Sequence, residues 1–331
     1  MALSLARLRP SMQRLLLGLL GLRSASALLS SRNDNGSPAG AQNASLHREL
    51  GPWTSGTNEL HEVKLPNVSF WAGALHLDWC MKEERQQVDL FHAKLLSKRG
   101  TSCTVVDVGT NDAFYSLLSG AFGCQTYGFE IQQLCIDFAL VAVKKNNFPY
   151  GLVNITKAPV SDVGDVPITI LFPDRPVCDG GFSFVRKGRG RSHSHLPLQT
   201  PHNLTTVALS SFPPLQPPAF VDIVKIDAEG HELEVLRGVL PLLRERRVGV
   251  VVVELGPMSD YVDPNGLIEI FREITSLRYG LTTLNCEKRR GDDDTFDAKN
   301  FEQFLKYAWM PLYPRSTSFW RCPDLLIAPL S

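Results

Sequence analysis

The sequence predicts an α/β fold, with a mostly parallel sheet of about seven strands and helices on both faces. Three observations predict it. Thr104-Val105-Val106-Asp107-Val108 is a short apolar run that turns at Gly109, and Phe114, Leu117, Leu118 and Ala121 follow at helical spacing. Residues 221–238 repeat that order: strand, acidic turn, helix. Residues 248–253 are almost all valine, as a strand buried on both faces requires. Strand-turn-helix units of this kind build doubly wound sheets, which bind ligands beyond the carboxyl ends of their strands.

The elements follow in order. Trp79, Val88, Phe91 and Leu95 mark a helix over residues 78–96 that packs on the sheet before the first strand. Residues 126–129 form a second strand, which ends at Glu130. Leu134, Phe138, Val141 and Ala142 mark the next helix, stopped by Asn146-Asn147-Phe148-Pro149. A third strand, residues 151–155, leads into Ser161-Asp162-Val163-Gly164, which reads as a β-turn or as an adenine contact. Residues 166–172 read as a strand. Residues 173–201, with the basic run Arg186 to His195, show no regular pattern and are either a lid over an anionic substrate or a solvated loop. Leu233, Leu236, Leu240 and Leu243 give the buried face of the helix after Asp227. Residues 264–277 read as a helix and 281–284 as a strand. Leu325-Leu326-Ile327 is a last strand, able to enter the sheet antiparallel.

The first turn asks for a nucleoside cofactor. Glu130, at the end of the second strand, is placed to accept hydrogen bonds from ribose hydroxyls. A dinucleotide site needs G-x-G-x-x-G, so that pyrophosphate meets bare backbone. Here only the first glycine is present, with Asn111 and Phe114 at the other two places. No G-x-x-x-x-G-K-[ST] loop occurs either. A cofactor with a ribose and no phosphate fits, and S-adenosylmethionine is one.

Lys+Arg 34 balances Asp+Glu 34, so the chain lacks the basic excess of a nucleic-acid surface, and no nucleic-acid partner is expected. Hydrophobic residues make up 44%, enough for a packed core. The N-terminus has Arg7, Arg9 and Arg14 before a leucine-rich run and then small residues, a signal-peptide pattern. Residues 1–29 are thus a signal peptide or a membrane or targeting segment, and 30–75 a flexible stem or linker rich in Ser, Asn and Gly. Residues 76–331 form the catalytic domain. N-x-[ST] sequons at Asn35, Asn43, Asn67, Asn154 and Asn203 favour a glycoprotein of the secretory pathway. An Arg- and Ser-rich mitochondrial presequence is the alternative. The seven cysteines show no metal-type spacing. Cys103, Cys124 and Cys135 read as small core hydrophobes, and Cys286 and Cys322 as a candidate late pair.

Taken together, Val106 to Ser116, Phe129-Glu130, Val160-Ser161-Asp162 and Asp222 to Glu232 resemble the FkbM family of S-adenosylmethionine-dependent methyltransferases. The resemblance covers residues 101–285. It implies a Rossmann-like class I methyltransferase fold and, for the most part, O-methylation of sugars or small metabolites. It implies cofactor contacts from Asp107, Gly109, Asn111, Tyr115, Glu130, Ser161, Asp162 and Asp227. Asp227 then faces the transferring methyl group. Ala113 departs from the pattern, since the family usually has glycine there.

An acceptor hydroxyl must lose its proton, and His231 is the candidate general base, with Asp227 as the alternative. A hard divalent cation held by Asp227, Glu229 and Glu254 is a third route. The expected partner is a glycan or small-molecule acceptor, with membrane attachment through the N-terminal segment. A second reading is a non-catalytic domain that binds a partner through the basic loop.

Overall fold

The computed structural model describes residues 59–73, 84–173, 198–255, 263–284 and 324–330, with residues 77, 80–82, 178 and 295–296. Residues 59–331 cluster as one compact unit. The targeting segment, Asn35, Asn43, the basic run, Cys286 and Cys322 lie outside the described residues.

A hairpin opens the unit: β1 (Leu60–Leu65) pairs antiparallel with β2 (Val68–Gly73). Composition had assigned these residues to the stem. Their alternating Val63, Phe70 and Ala72 are buried, so the hairpin has an apolar face and belongs to the folded body. Helix α1 (Arg85–Ser97) follows. Then come β3 (Thr104–Val108), α2 (Phe114–Ala121), β4 (Gln125–Glu130), α3 (Gln133–Lys145) and β5 (Val153–Lys157).

Short β6 (Val160–Ser161) pairs with β9 (Val207–Ala208), and between them β7 (Pro167–Pro173) and β8 (Leu198–Thr205) make a hairpin. The strand expected at 166–172 is therefore outside the main sheet. Part of the segment read as irregular pairs with it, because β8 begins at Leu198. The second half comprises β10 (Val221–Ile226), α4 (Glu232–Arg244), β11 (Val248–Glu254), α5 (Pro264–Ser276), β12 (Tyr279–Leu284), β13 (Thr295–Phe296) and β14 (Asp324–Pro329).

Among the described residues the central sheet has eight strands, in the order β13-β12-β14-β11-β10-β3-β4-β5. Strands β11, β10, β3, β4 and β5 run parallel. Strand β14 enters antiparallel between β11 and β12, as expected of the last apolar run. Two-residue β13 closes one edge. The remaining seven strands with their flanking helices form the Rossmann-like arrangement. The chain builds outward from β3 to β5, then returns to lay β10 against the other side of β3. The gap between β3 and β10 is the point where strand order reverses, and such a point leaves a crevice at the carboxyl ends.

Strand alternation sorts the two faces. Val106, Val108, Val224, Ile226, Val251 and Val253 join the large apolar cluster under α4 and α5. The opposite face carries Val105, Asp107, Ile223 and Lys225 toward α2, and here the sheet buries charge. Two disulfides brace the frame: Cys103–Cys124 and Cys135–Cys178. The expectation that Cys103, Cys124 and Cys135 are unpaired core residues is thus overturned. The strand register that sets Thr104 against Gln125 also brings Cys103 and Cys124 side by side.

Candidate active site

The site is built on the turns after β3, β4 and β10. Gly109 has φ +74, and a Cβ there would lie 1.7 Å from the backbone oxygen of Asp227. The two loops touch backbone to backbone at the switch point, and only glycine permits that approach. Its N–H donates to Phe129 O at 2.9 Å, and Asp227 N–H donates to Val108 O at 3.0 Å. Three strand ends are thereby tied into one rim.

Glu130 is buried in this rim. Its Oε2 accepts from Asn111 N–H at 2.9 Å, and its Oε1 from Ile131 and Gln132 N–H at 2.7 and 2.8 Å. Burial pushes the carboxyl upward in pKa, while the three backbone donors pull it back. Those bonds fix its orientation and leave acceptor capacity on Oε2 for a hydroxyl. Asn111 has φ 53, a conformation that asparagine tolerates better than most residues. Its Oδ1 sits against both sulfurs of Cys135–Cys178, at 3.5 and 3.0 Å. A disulfide has no S–H, so these are close S···O contacts.

After β10, Glu232 folds back to accept from Ala228 N–H at 3.0 Å and Gly230 N–H at 3.0 Å. It caps the acidic turn, as an acidic residue in a helix's first turn should. Asp227 thereby projects at the cleft, its side chain 24% exposed, with Oδ2 3.0 Å from Lys225 Nζ.

Lys225 is the buried cation of the other face. It lies 5.3 Å from the Tyr115 ring centroid and pairs in register with Asp107. Burial disfavours the ammonium, but Asp227, then Asp107, Glu84 and Glu254, hold its pKa well above the ordinary lysine value. Glu254 pairs in register with Asp324 on β14. Burial, then Asp227, Asp324, Glu84 and Glu229, push its carboxyl well up. Tyr115 donates to Glu84 Oε2 at 2.5 Å, and Ser116 to Asp107 Oδ2 at 2.7 Å.

A cleft with about 690 Å³ of empty space, open solvent at its mouth included, runs along this rim. Gly109, Asn111, Glu130, Asp227 and His231 line it, all expected from the sequence. Ile131, Ala158, Pro159, Val160 and Ile170 form an apolar wall that sequence reading missed. Their only signal was apolar residues just after strand ends.

Four expected cofactor residues lie outside the lining. Asp107 and Tyr115 are buried behind it. Ser161 donates to Asp162 Oδ1 at 3.0 Å and faces His231 Nε2 at 3.3 Å. A Cβ at Gly238 would meet Ser161 O at 2.5 Å, so α4 packs directly on β6. His231 uses its other nitrogen toward Glu234 Oε2, at 3.4 Å, so both ring nitrogens have protein partners. Among the described residues no three His, Cys, Asp or Glu side chains converge as metal ligands. The set Asp227, Glu229 and Glu254 therefore does not form the metal site considered above. Ala113 has φ 69 at the N-cap of α2, which accounts for glycine at this position elsewhere. Its methyl is buried and lies outside the cleft lining.

The model of the methyltransferase FkbM domain matches residues 107–280. The chain belongs to the FkbM methyltransferase family. Its activity is therefore methyl transfer. The matched region runs from β3 into β12 and holds every cleft-lining residue named here.

Among solved structures, the chain is similar to the METTL16 methyltransferase domain: 13% identity, TM-score 0.38, covering 75% of this chain and 68% of that one. It is similar to WbdD, titled a bifunctional kinase-methyltransferase in one of its structures. The high-resolution form gives 15% identity and TM-score 0.35, covering 77% of this chain and 43% of WbdD. Human methyltransferase 10 domain containing protein gives 16% identity and TM-score 0.34, with 62% and 77% covered. No curated protein sequence matches the chain.

The FkbM domain fits S-adenosylmethionine on its own geometry. A bare glycine backbone, an oriented buried carboxylate and an apolar wall match a methionine end, a ribose and an adenine. Asp107 Oδ1 on β3 and Thr110 Oγ1 in the turn after it are buried polar atoms without a hydrogen-bond partner among the described residues.

Proposed function

We propose that the chain is an S-adenosylmethionine-dependent O-methyltransferase of the secretory pathway that acts on a hydroxyl of a glycan or small metabolite. The observation that carries the cofactor is Glu130, a buried carboxylate oriented by three backbone N–H groups at the end of β4. Two disulfides support an oxidising compartment.

Bound S-adenosylmethionine supplies a methyl group already activated on a sulfonium, so the protein's main task is alignment. Glu130 would hold the ribose hydroxyls, and the apolar wall of Ile131, Ala158 and Val160 would take the adenine. Asp227 faces the acceptor. As an acceptor hydroxyl takes the methyl and the carbon–sulfur bond breaks to leave a neutral thioether, the hydroxyl proton would pass to the Asp227 carboxylate and then to water. Asp227 suits this role better than His231, whose ring nitrogens are engaged by Glu234 and Ser161. His231 positions the turn that carries Asp227.

Calorimetric titration of S-adenosylmethionine tests the cofactor. Wild type is expected to bind in the micromolar range. Glu130→Gln loses hydrogen bonds to a charged group, worth about 1.5–3 kcal/mol, and binds roughly 10- to 100-fold more weakly. Asp227→Asn keeps binding and loses transfer to glycan hydroxyls. A folded wild type that binds no S-adenosylmethionine would sink the proposal.

A further inference from the structure

We infer that Asn67 and Asn203 are N-glycan attachment sites on the folded protein, and that the half-buried Asn154 is not. This rests on the secretory reading above. All three stand in N-x-[ST] sequons within the described residues, so sequence treats them alike. The fold separates them.

A glycan is a bulky, hydrated group bonded to the asparagine Nδ2. In the folded protein the amide nitrogen must therefore face solvent, with room for the glycan beside it. Asn203 and Thr205 lie at i and i+2 on β8, so both project from one face, and both are exposed. Asn203 pairs across the hairpin with Thr169, also exposed, whose hydroxyl donates to Asn203 Oδ1 at 2.8 Å. That bond orients the amide and leaves Nδ2 without a hydrogen bond among the described residues. The neighbouring Ile170 is 1% exposed and lines the cleft. Thr169 and Asn203 point the other way, so a glycan there leaves the cleft open.

Asn67 occupies the two-residue turn between β1 and β2 with φ 69. Asparagine is among the few residues suited to that backbone. His92 Nε2 lies 2.6 Å from Pro66 O, which holds the turn against α1. Asn67 and Ser69 are both exposed. Asn154 differs: it lies on edge strand β5 and is only partly exposed. Its Nδ2 donates to Gly151 O at 2.6 Å, which ties the nitrogen that would carry a glycan to the preceding turn.

The test expresses the full chain in a secretory host, once with its own N-terminus and once behind a heterologous signal peptide. N-glycosidase F digestion in heavy-oxygen water is followed by peptide mapping. Both Asn67 and Asn203 are expected to convert to labelled aspartate, with Asn154 unlabelled. Asn67→Gln and Asn203→Gln each remove one mobility step. A chain with Cys103–Cys124 oxidised and either asparagine bare overturns the assignment at that position, and a labelled Asn154 overturns the selection. Label that appears only behind the heterologous signal supports the sites and overturns the secretory reading.

Discussion

Gly109 is the position at which the smallest change has the largest expected effect. Its left-handed backbone alone penalises a side chain by about 1–3 kcal/mol, and a Cβ 1.7 Å from Asp227 O would force β3 and β10 loops apart. Gly109→Ala is expected to lower stability by about 3 kcal/mol or more and to abolish cofactor binding, read by denaturant melts and titration. Lys225 is the next. It is the buried cation among Asp107, Asp227, Glu84 and Glu254. Removing one partner of a buried ion pair costs about 3–5 kcal/mol, because the carboxylates left behind are uncompensated. Lys225→Met should show that loss in urea unfolding, with Lys225→Arg recovering part of it. An unchanged midpoint in Lys225→Met would contradict the network.

At the scale of elements, the two disulfides do different work. Cys103–Cys124 joins the amino ends of β3 and β4, far from the cleft rim. With its sequence separation of 21, it is expected to contribute about 3 kcal/mol to stability by restricting the unfolded chain. Cys135–Cys178 clamps the first turn of α3 and touches Asn111, whose N–H orients Glu130. Cys135→Ser should therefore weaken S-adenosylmethionine binding severalfold and speed hydrogen exchange at residues 109–112, while Cys124→Ser lowers the melting temperature and leaves affinity near wild type. Equal effects of the two substitutions on affinity would refute this division. The cysteines looked like core hydrophobes in the sequence because burial and pairing select the same residue, and only strand register tells them apart.

For the whole molecule, buried charge sets the response to pH. Glu254, Asp107 and Glu130 all have carboxyl pKa values raised first by burial. From the ordinary carboxylate range upward the folded protein thus holds protons that the unfolded chain has released. Stability is fully present below that range and falls as pH rises through it. Lys225 acts at the other end: its raised pKa adds stability that is lost only above the ordinary lysine range. Melting temperature should accordingly decline from mildly acidic to neutral pH, and Glu254→Gln should flatten the decline. A curve for Glu254→Gln parallel to wild type would exclude Glu254 as its source.

Much of the candidate site was legible from residues alone. The strand-turn-helix units around Gly109 and Asp227, the carboxylate at Glu130 and the twice-buried valine strand are local patterns, set by side-chain periodicity and turn chemistry over a few residues. Those forces act within one segment, so the sequence determined them unaided. The rest depended on which segments meet. The reversal of strand order brought Gly109 against Asp227. Register paired Cys103 with Cys124, and Lys225 with Asp107. Helix α4 packed on β6 and brought Ser161 against His231. Residues 60–73 folded because α2 and α3 offered their hairpin an apolar surface to bury, which no composition count within the segment could register. Tertiary structure decided these contacts because each exists only when distant parts of the chain exclude water together.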